Sequence, residues 1–389
     1  MYSGKIIFAQ IMDIVPKYEF QKIVKRHNGN HRVRKLSCRE QFCCMCFGQL
    51  TFRDSLRDVT TTLNTLEGKR YHMGLTGKVP LSTLSDANAK RPWKMYQDLA
   101  MVLIAHARKL YDNEQPEFEK AKQVFALDST TIDLCLSLFP WAQFRHSKAA
   151  IKMHTLMDLQ GSIPTFIHIT DGRVHDVNIL DDIPIQPGAI YIMDRGYIDF
   201  ARLFKIHRQG GQFVIRARKN LKFYRKKSTL VDTAGGLQCD QIIRLSSVNS
   251  KNDYPEPLRR VRVIDKENNQ DIVILTNITT STAEQIAAYY KQRWQIELFF
   301  KWIKQNLRIK AFYGQSVNAV KTQIWTAVCT YMILIIIQKT FDLSVSLHTM
   351  MQVLSVSLLE NMTFKELFSS PELMESKDSN ANQLGLFDF

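Results

Sequence analysis

The chain has 389 residues, 45% of them hydrophobic, which is enough to bury a large core and to form more than one domain. Lys and Arg number 52 against 37 Asp and Glu, a net charge of +15 that favours a polyanionic partner such as nucleic acid. The seven cysteines are odd in number and clustered, which argues against a disulfide framework and for a reducing cytoplasm.

The opening run MYSGKIIFAQIMDIV has no basic start, long apolar centre or small-residue cleavage site, so no secretory signal is expected. Residues 1–75 read as a helical module with turn signals at Gly29 and Gly68. Within it, residues 17–39 carry Lys17, Lys22, Lys25, Arg26, Arg32, Arg34, Lys35 and Arg39 against Glu19 alone. That excess predicts a DNA-contacting region. The CCMC run at 43–46 has no second Cys/His pair at finger spacing and reads as core cysteines on a helix. Residues 76–120 read as a helical linker, two helices around the Lys90-Arg91-Pro92 break, with Ser82 or Ser85 as a cap. A loose helix-turn-helix is compatible with that spacing.

From 121 the pattern changes to alternating strands and helices, so the fold class is α/β with 121–211 as the first part of a catalytic core. KQVFALDST is a short β-rich run ending in Asp128. IKMHTLMDL and SIPTFIHITDG follow as strands around Gln160-Gly161, and AIYIMDRG is an apolar strand ending in Asp194. YIDFARLFKIHRQGG reads as a helix closed by Gly210-Gly211. Residues 212–278 read as a β-rich insertion, a meander separated by polar turns. Helix resumes at a capping box beginning at Ser281, and 279–345 forms the second part of the core. The apolar stretch at 324–337 is interrupted by Thr326, Cys329, Thr330 and Tyr331 and is shorter than the ~20 residues of a bilayer span, so it reads as a buried helix. Residues 346–389 read as a helical region followed by a polar, flexible tail.

The chemistry concentrates in the spacing Tyr290-x2-Arg293-x3-Glu297-x6-Lys304. On one continuous helix, offsets of 0, 3, 7 and 14 fall within roughly 60° of each other. The stripe then carries a phenol, a guanidinium, a carboxylate and an ammonium, with Tyr289, Ile296, Phe300 and Ile303 as its apolar neighbour. A carboxylate flanked by cations suits a metal ion gripping a phosphodiester. Asp128 and Asp194 stand where open α/β sheets build their sites, beyond the carboxyl ends of strands. With Glu297 beside them, three carboxylates would suffice for two Mg²⁺ ions about 3.5–4 Å apart, the arrangement for in-line phosphoryl transfer.

Asp128, Asp194 and Glu297 with the complete Tyr-Arg-Glu-Lys spacing resemble the DDE transposases of bacterial insertion sequences, in the subgroup carrying that signature. The resemblance covers about 120–340, including the β-rich insertion, and the N-terminal 75 residues with STLSDANAKR are similar to that family's leading region. It implies a ribonuclease-H-like catalytic core and Mg²⁺-dependent cut-and-paste movement of the chain's own element, with Mn²⁺ as a substitute ion. Asp128, Asp194 and Glu297 are then the metal ligands, and Tyr290, Arg293 and Lys304 contact phosphates at the cleaved end. Trp294 is either a stacking partner for an unpaired base, as hairpin-forming relatives require, or core. The implied partners are double-stranded DNA, both terminal inverted repeats and target, and a second copy of the chain on that DNA. The implied location is the bacterial cytoplasm at the nucleoid, with no membrane.

Further polar residues are weighed beside these. Lys148, Lys152 and His154 are expected to line a DNA channel. His175-Asp176 offers a metal pair or, more simply, a turn-stabilising group, and His168 an ordinary strand position. The terminal QLGLF, with Gln383, Leu384, Leu386 and Phe387, resembles the pentapeptide by which bacterial replication proteins dock on the sliding clamp. The competing readings of the whole chain are a nuclease or resolvase of the same fold without strand transfer, and a non-enzymatic DNA-binding derivative.

Overall fold

The computed structural model describes residues 4–111, 123–145, 148–233, 235–265, 270–309 and 311–369. They fall into two compact units, one drawn from within 1–113, 132–150 and 300–382, the other from within 114–131 and 151–299. The four residues of the clamp-like pentapeptide lie outside the described residues.

The first unit opens with α1 (Ile7–Asp13), α2 (Lys17–Arg26), α3 (Cys38–Leu50), α4 (Leu56–Thr65), α5 (Leu81–Lys90) and α6 (Lys94–Tyr111). Ser37 starts α3 with a capping box: its hydroxyl accepts from the Glu40 amide while the Glu40 carboxylate accepts from its own amide. Behind that cap almost every residue of α3 is buried, including Cys43, Cys44 and Cys46. Burial pushes the Cys43 thiol up to about 12, so these are inert core sulfurs, as expected. The break between α5 and α6 falls at Arg91, as Lys90-Arg91-Pro92 requires, but α5 begins after Pro80 and neither Ser82 nor Ser85 caps it.

The second unit is built on a sheet. The strands are β1 (Val124–Leu134), the short β2 (Gln143–Arg145), which falls within the first unit, β3 (Lys148–Asp158), β4 (Ile163–Asp171), β5 (Ile190–Met193) and, after α7 (Phe200–Arg208), β6 (Gln212–Arg216). Next come β7 (Phe223–Thr229), β8 (Leu237–Leu245), α8 (Val248–Asp253), β9 (Leu258–Asp265) and β10 (Gln270–Thr276), then α9 (Ala283–Lys291) and α10 (Trp294–Asn306). Hydrogen bonding gives the order β3-β1-β5-β6-β10-β9-β8-β7, with β4 and β2 also pairing on β3. β1, β5 and β6 run parallel, while β10, β9, β8 and β7 form an antiparallel meander. The insertion is therefore a continuation of the core sheet: β10 pairs directly with β6.

Alternation along the central strands splits the core into two faces. Phe125, Leu127, Tyr191, Met193, Phe213 and Ile215 pack on one side with Leu203 and Ile206 of α7. Ile190, Ile192 and Val214 pack on the other with Ile286, Tyr289 and Tyr290 of α9. Chain direction reverses between β3 and β4 at Gly161 and Ser162, whose φ values are +80° and +51°.

The chain returns to the first unit as α11 (Val317–Thr340), α12 (Leu347–Ser357) and α13 (Phe364–Phe368). α11 is long and apolar enough to cross a bilayer by composition, yet 94% of its most apolar window is buried inside the protein. It packs against α3, α5, α6 and α12 as the core helix of this unit.

One buried ion pair ties the meander to the helix that follows it. Arg259 makes bonds of 2.8 Å to each oxygen of Asp240 and donates to the Ser281 carbonyl at 2.5 Å, with side-chain exposures of 8% and 13% for the pair. Asp240→Ala would strand a buried guanidinium, so a loss of roughly 3–5 kcal/mol is expected. Urea denaturation followed by tryptophan fluorescence reads it; a midpoint within error of wild type contradicts this assignment.

Candidate active site

The parallel register places Leu127 beside Met193. The next residues, Asp128 and Asp194, therefore stand side by side on neighbouring strands and face the side covered by α9, because Leu127 and Met193 face away from it. Asp194 follows the last residue of β5, as expected. Its Oδ1 accepts from the Gly196 amide in a tight turn, where a Cβ on Gly196 would lie 2.8 Å from that oxygen. Asp128 departs from expectation: β1 continues through it to Leu134, so it is an internal strand residue, held by the Ser129 amide at 2.8 Å.

The expected single helix under Tyr290, Arg293, Glu297 and Lys304 is two helices. α9 ends at Lys291 and α10 begins at Trp294. Across the junction the amides of Arg293, Gln295 and Ile296 bond three residues back, to Tyr290, Gln292 and Arg293, so the chain tightens by a 3₁₀ turn. Arg293 sits in that turn and joins the site. One guanidinium nitrogen lies 3.0 Å from Asp128 Oδ2, another pairs with Glu297 Oε1, and the group lies 5.9 Å from the Tyr290 ring centre. Burial opposes its charge, but Tyr290, Glu297 and Asp128 together hold its pKa above the usual arginine value.

Asp128 is the group most altered by its surroundings. Burial pushes its pKa up to about 7; Arg293 and the Ser129 amide oppose this, and the charges of Asp194 and Glu297 reinforce it. Tyr197 is also pushed up, by burial first and then by the charges of Asp128, Asp176 and Asp194. Tyr290 is 7% exposed and belongs to the core under α9, while Trp294 is half-buried. Lys304, further along α10, falls in the other unit, as does Lys148.

Lys152 and His154 do not line an open channel. Lys152 donates to the Val174 carbonyl at 2.9 Å and to Asp176 Oδ1 at 3.1 Å. His154 is fully buried, 2.9 Å from the Thr170 hydroxyl, and burial pushes its pKa down to about 4, so it is neutral. Asp176 also accepts from the Ser129 hydroxyl at 2.9 Å. These residues brace β1 beside Asp128 from within, a network the sequence reading missed. Its one local signal was the two-residue spacing of Lys152 and His154, which puts both on one face of β3.

Comparison with known proteins bears on this constellation. The family model described as Transposase DDE domain matches residues 119–333, more than half of the chain. This chain belongs to the DDE transposase family. A domain of unknown function (DUF4372) matches residues 3–76 of the same transposase. A protein named transposase y4zB from Sinorhizobium fredii (strain NBRC 101917 / NGR234) is 35% identical over 64% of this chain and 69% of its own length. One named for insertion sequence element IS5377 of Geobacillus stearothermophilus is 29% identical over 65% of this chain and 66% of its own. The piggyBac transposase synaptic complex with hairpin DNA is 12% identical, with a TM-score of 0.43 over 97% of this chain and 84% of that one.

DDE transposases generally use divalent metal ions. Three carboxylates are the hard oxygen donors that Mg²⁺ takes. Among the described residues, however, no three acidic, imidazole or thiol groups are close enough to hold one ion. Arg293 instead bridges Asp128 and Glu297.

The position of Asp128 has a consequence for pH. Its proton is bound near pH 7 in the folded chain and near the ordinary 3.8 in the unfolded one. Between those values the folded state holds more protons, so this group's contribution to stability falls as pH rises from about 4 to about 7. Urea melts of wild type and Asp128→Asn in metal-free buffer should show wild type losing ground to the variant across that window. A difference independent of pH contradicts the burial of Asp128 among like charges.

Proposed function

We propose that this chain is a cut-and-paste transposase of the Tyr-Arg-Glu-Lys subgroup, cleaving DNA at the inverted-repeat ends of its own element and joining the 3′-hydroxyls to target DNA. The observation that carries the reading is the bridge by Arg293 between Asp128 of β1 and Glu297 of α10, with Asp194 beside Asp128 on the neighbouring strand. The strand order β4-β3-β1-β5-β6, with β1, β5 and β6 parallel, supports a ribonuclease-H-like core at 121–211 and 279–345.

In this reading Asp128, Asp194 and Glu297 hold two Mg²⁺ ions, or Mn²⁺ in their place, which when bound activate the attacking oxygen and stabilise the leaving one. Arg293 moves its charge from the carboxylates to a DNA phosphate, a planar bidentate partner of the same geometry. Tyr290 orients that guanidinium from below, Lys304 takes a further phosphate, and Trp294 meets a terminal base.

Residues 1–75 bind DNA in this scheme, with 76–120 as their link to the core. Lys17, Lys22 and Arg26 are paired with Asp13, Glu19 and Asp98, but Lys25, Arg32, Arg34 and Lys35 are exposed and make no ion pair among the described residues. Lys25 lines a cleft of about 740 Å³ together with Lys17, His31 and Arg39. The chain works as a dimer that brings two ends together, in the bacterial cytoplasm at the nucleoid. Gln383, Leu384, Leu386 and Phe387 are a tail for the sliding clamp.

Incubation with Mg²⁺ and a DNA fragment carrying the element's inverted repeats tests the reading. Cleavage followed by joining is expected, and Glu297→Ala should slow both by roughly 10²-fold or more. Cleavage without joining would make the chain a nuclease, and binding alone a non-enzymatic derivative. Cleavage by Glu297→Ala at the wild-type rate would remove Glu297 from the site.

A further inference from the structure

The far edge of the sheet carries a second concentration of charge. β7 is the last strand in the sheet order, and six of its seven residues are exposed. Lys219, Lys222, Arg225, Lys226 and Lys227 lie on it or lead into it, and Arg244 stands opposite on β8. All six are exposed, none makes an ion pair among the described residues, and no acidic residue occurs between Gln212 and Leu230. None belongs to the carboxylate site.

The register makes this edge an organised surface. Tyr224 pairs with Arg244, and the ladder then shifts between Arg225 and Lys227, so that Lys227 pairs with Ile242. Residues 242 and 244 share a face, so this bulge turns Lys227 to the same side as Tyr224 and Arg244. Ile242 in turn pairs with Arg259, next but one to Val261, whose side chain packs under α9. Tyr224, Lys227 and Arg244 therefore share the sheet face that α9 covers and that Asp128 and Asp194 share, while Arg225, paired with Ile243, stands on the other side of the edge.

Lysines on an edge strand commonly serve only to prevent edge-to-edge association. That role leaves two features unexplained. Arg244 is on the neighbouring strand and guards no edge, and Tyr224, 66% exposed, adds an aromatic surface where a guard would avoid one. Cations interleaved with an exposed ring are the composition of a nucleic-acid groove.

We propose that β7 and Arg244 form a second DNA-binding surface, which grips the phosphate backbone with Tyr224 seated against a sugar or base. The inference rests on DNA being the substrate, but not on where the chemistry occurs. It gives the insertion a task, holding DNA on the face of the sheet that bears the carboxylates.

The test is the salt dependence of binding by the full chain to a generic duplex, without metal, so that no cleavage enters the measurement. Each phosphate contact contributes about 0.9 to the slope of log K against log salt. Arg225→Gln/Lys226→Gln/Lys227→Gln should lower the magnitude of that slope by about 2–3, and Arg244→Gln alone by about 0.9. The measurement contains no metal and no cleavage, so a failure of the active-site placement leaves its outcome unchanged, which separates the two. If the triple variant loses its cooperative melt, the single variant decides. A wild-type slope in the folded triple variant, or in Arg244→Gln where only that one can be read, overturns the proposal, whether or not the triple variant aggregates.

Discussion

A single guanidinium reaches 165 positions along the chain: Arg293 bonds Asp128 on β1 while pairing with Glu297 on α10. Three acidic groups close together repel each other and resist burial. Positive charge must offset that repulsion for the fold to hold them there. Here the compensation comes from the chain itself, through a side chain that binds phosphate equally well. In the proposed function that side chain passes to a DNA phosphate, and its place in a 3₁₀ turn between two helices gives it a less regular backbone than a helix interior would.

The rest of the second unit serves that meeting point. Parallel pairing of β1 with β5 sets the two aspartates side by side, and apolar faces on both sides of the sheet fix which way they point. The Asp176 network stiffens β1 from the other neighbouring strand: Ser129, Lys152 and His154 all turn toward one carboxylate. The meander extends the same sheet, so a contact with DNA at its edge is made on a rigid platform. In the first unit the apolar helix α11 plays the matching structural part, with α3 and its buried sulfurs packed against it.

Much of this was legible in the residues because local and tertiary signals agree. The strand before Asp194, the helix ended by Gly210, the meander and the buried apolar helix all follow periodicity or turn chemistry. The errors arose where tertiary contacts override local pattern. Nothing in KQVFALDST tells a strand to continue through Asp128, because the continuation is set by hydrogen bonds to strands met only in the fold. The run AAYYKQRWQIELFF has unbroken helical periodicity, yet the chain tightens at Arg293, whose partners include an aspartate far away in sequence. Lys152 and His154 looked like channel residues because charge on a strand cannot reveal that Asp176, far along the chain, already faces it. β7 escaped notice because an edge strand with almost every side chain exposed shows no apolar alternation.

In the proposed function Asp128, Asp194 and Glu297 act together as one ligand set for divalent cations. Isothermal titration of Mn²⁺ into the DNA-free protein, for wild type and for Asp128→Asn, Asp194→Asn and Glu297→Gln, measures that directly. Binding by wild type is expected, with a loss of at least about tenfold in affinity in each variant. Wild-type affinity in all three variants would contradict it.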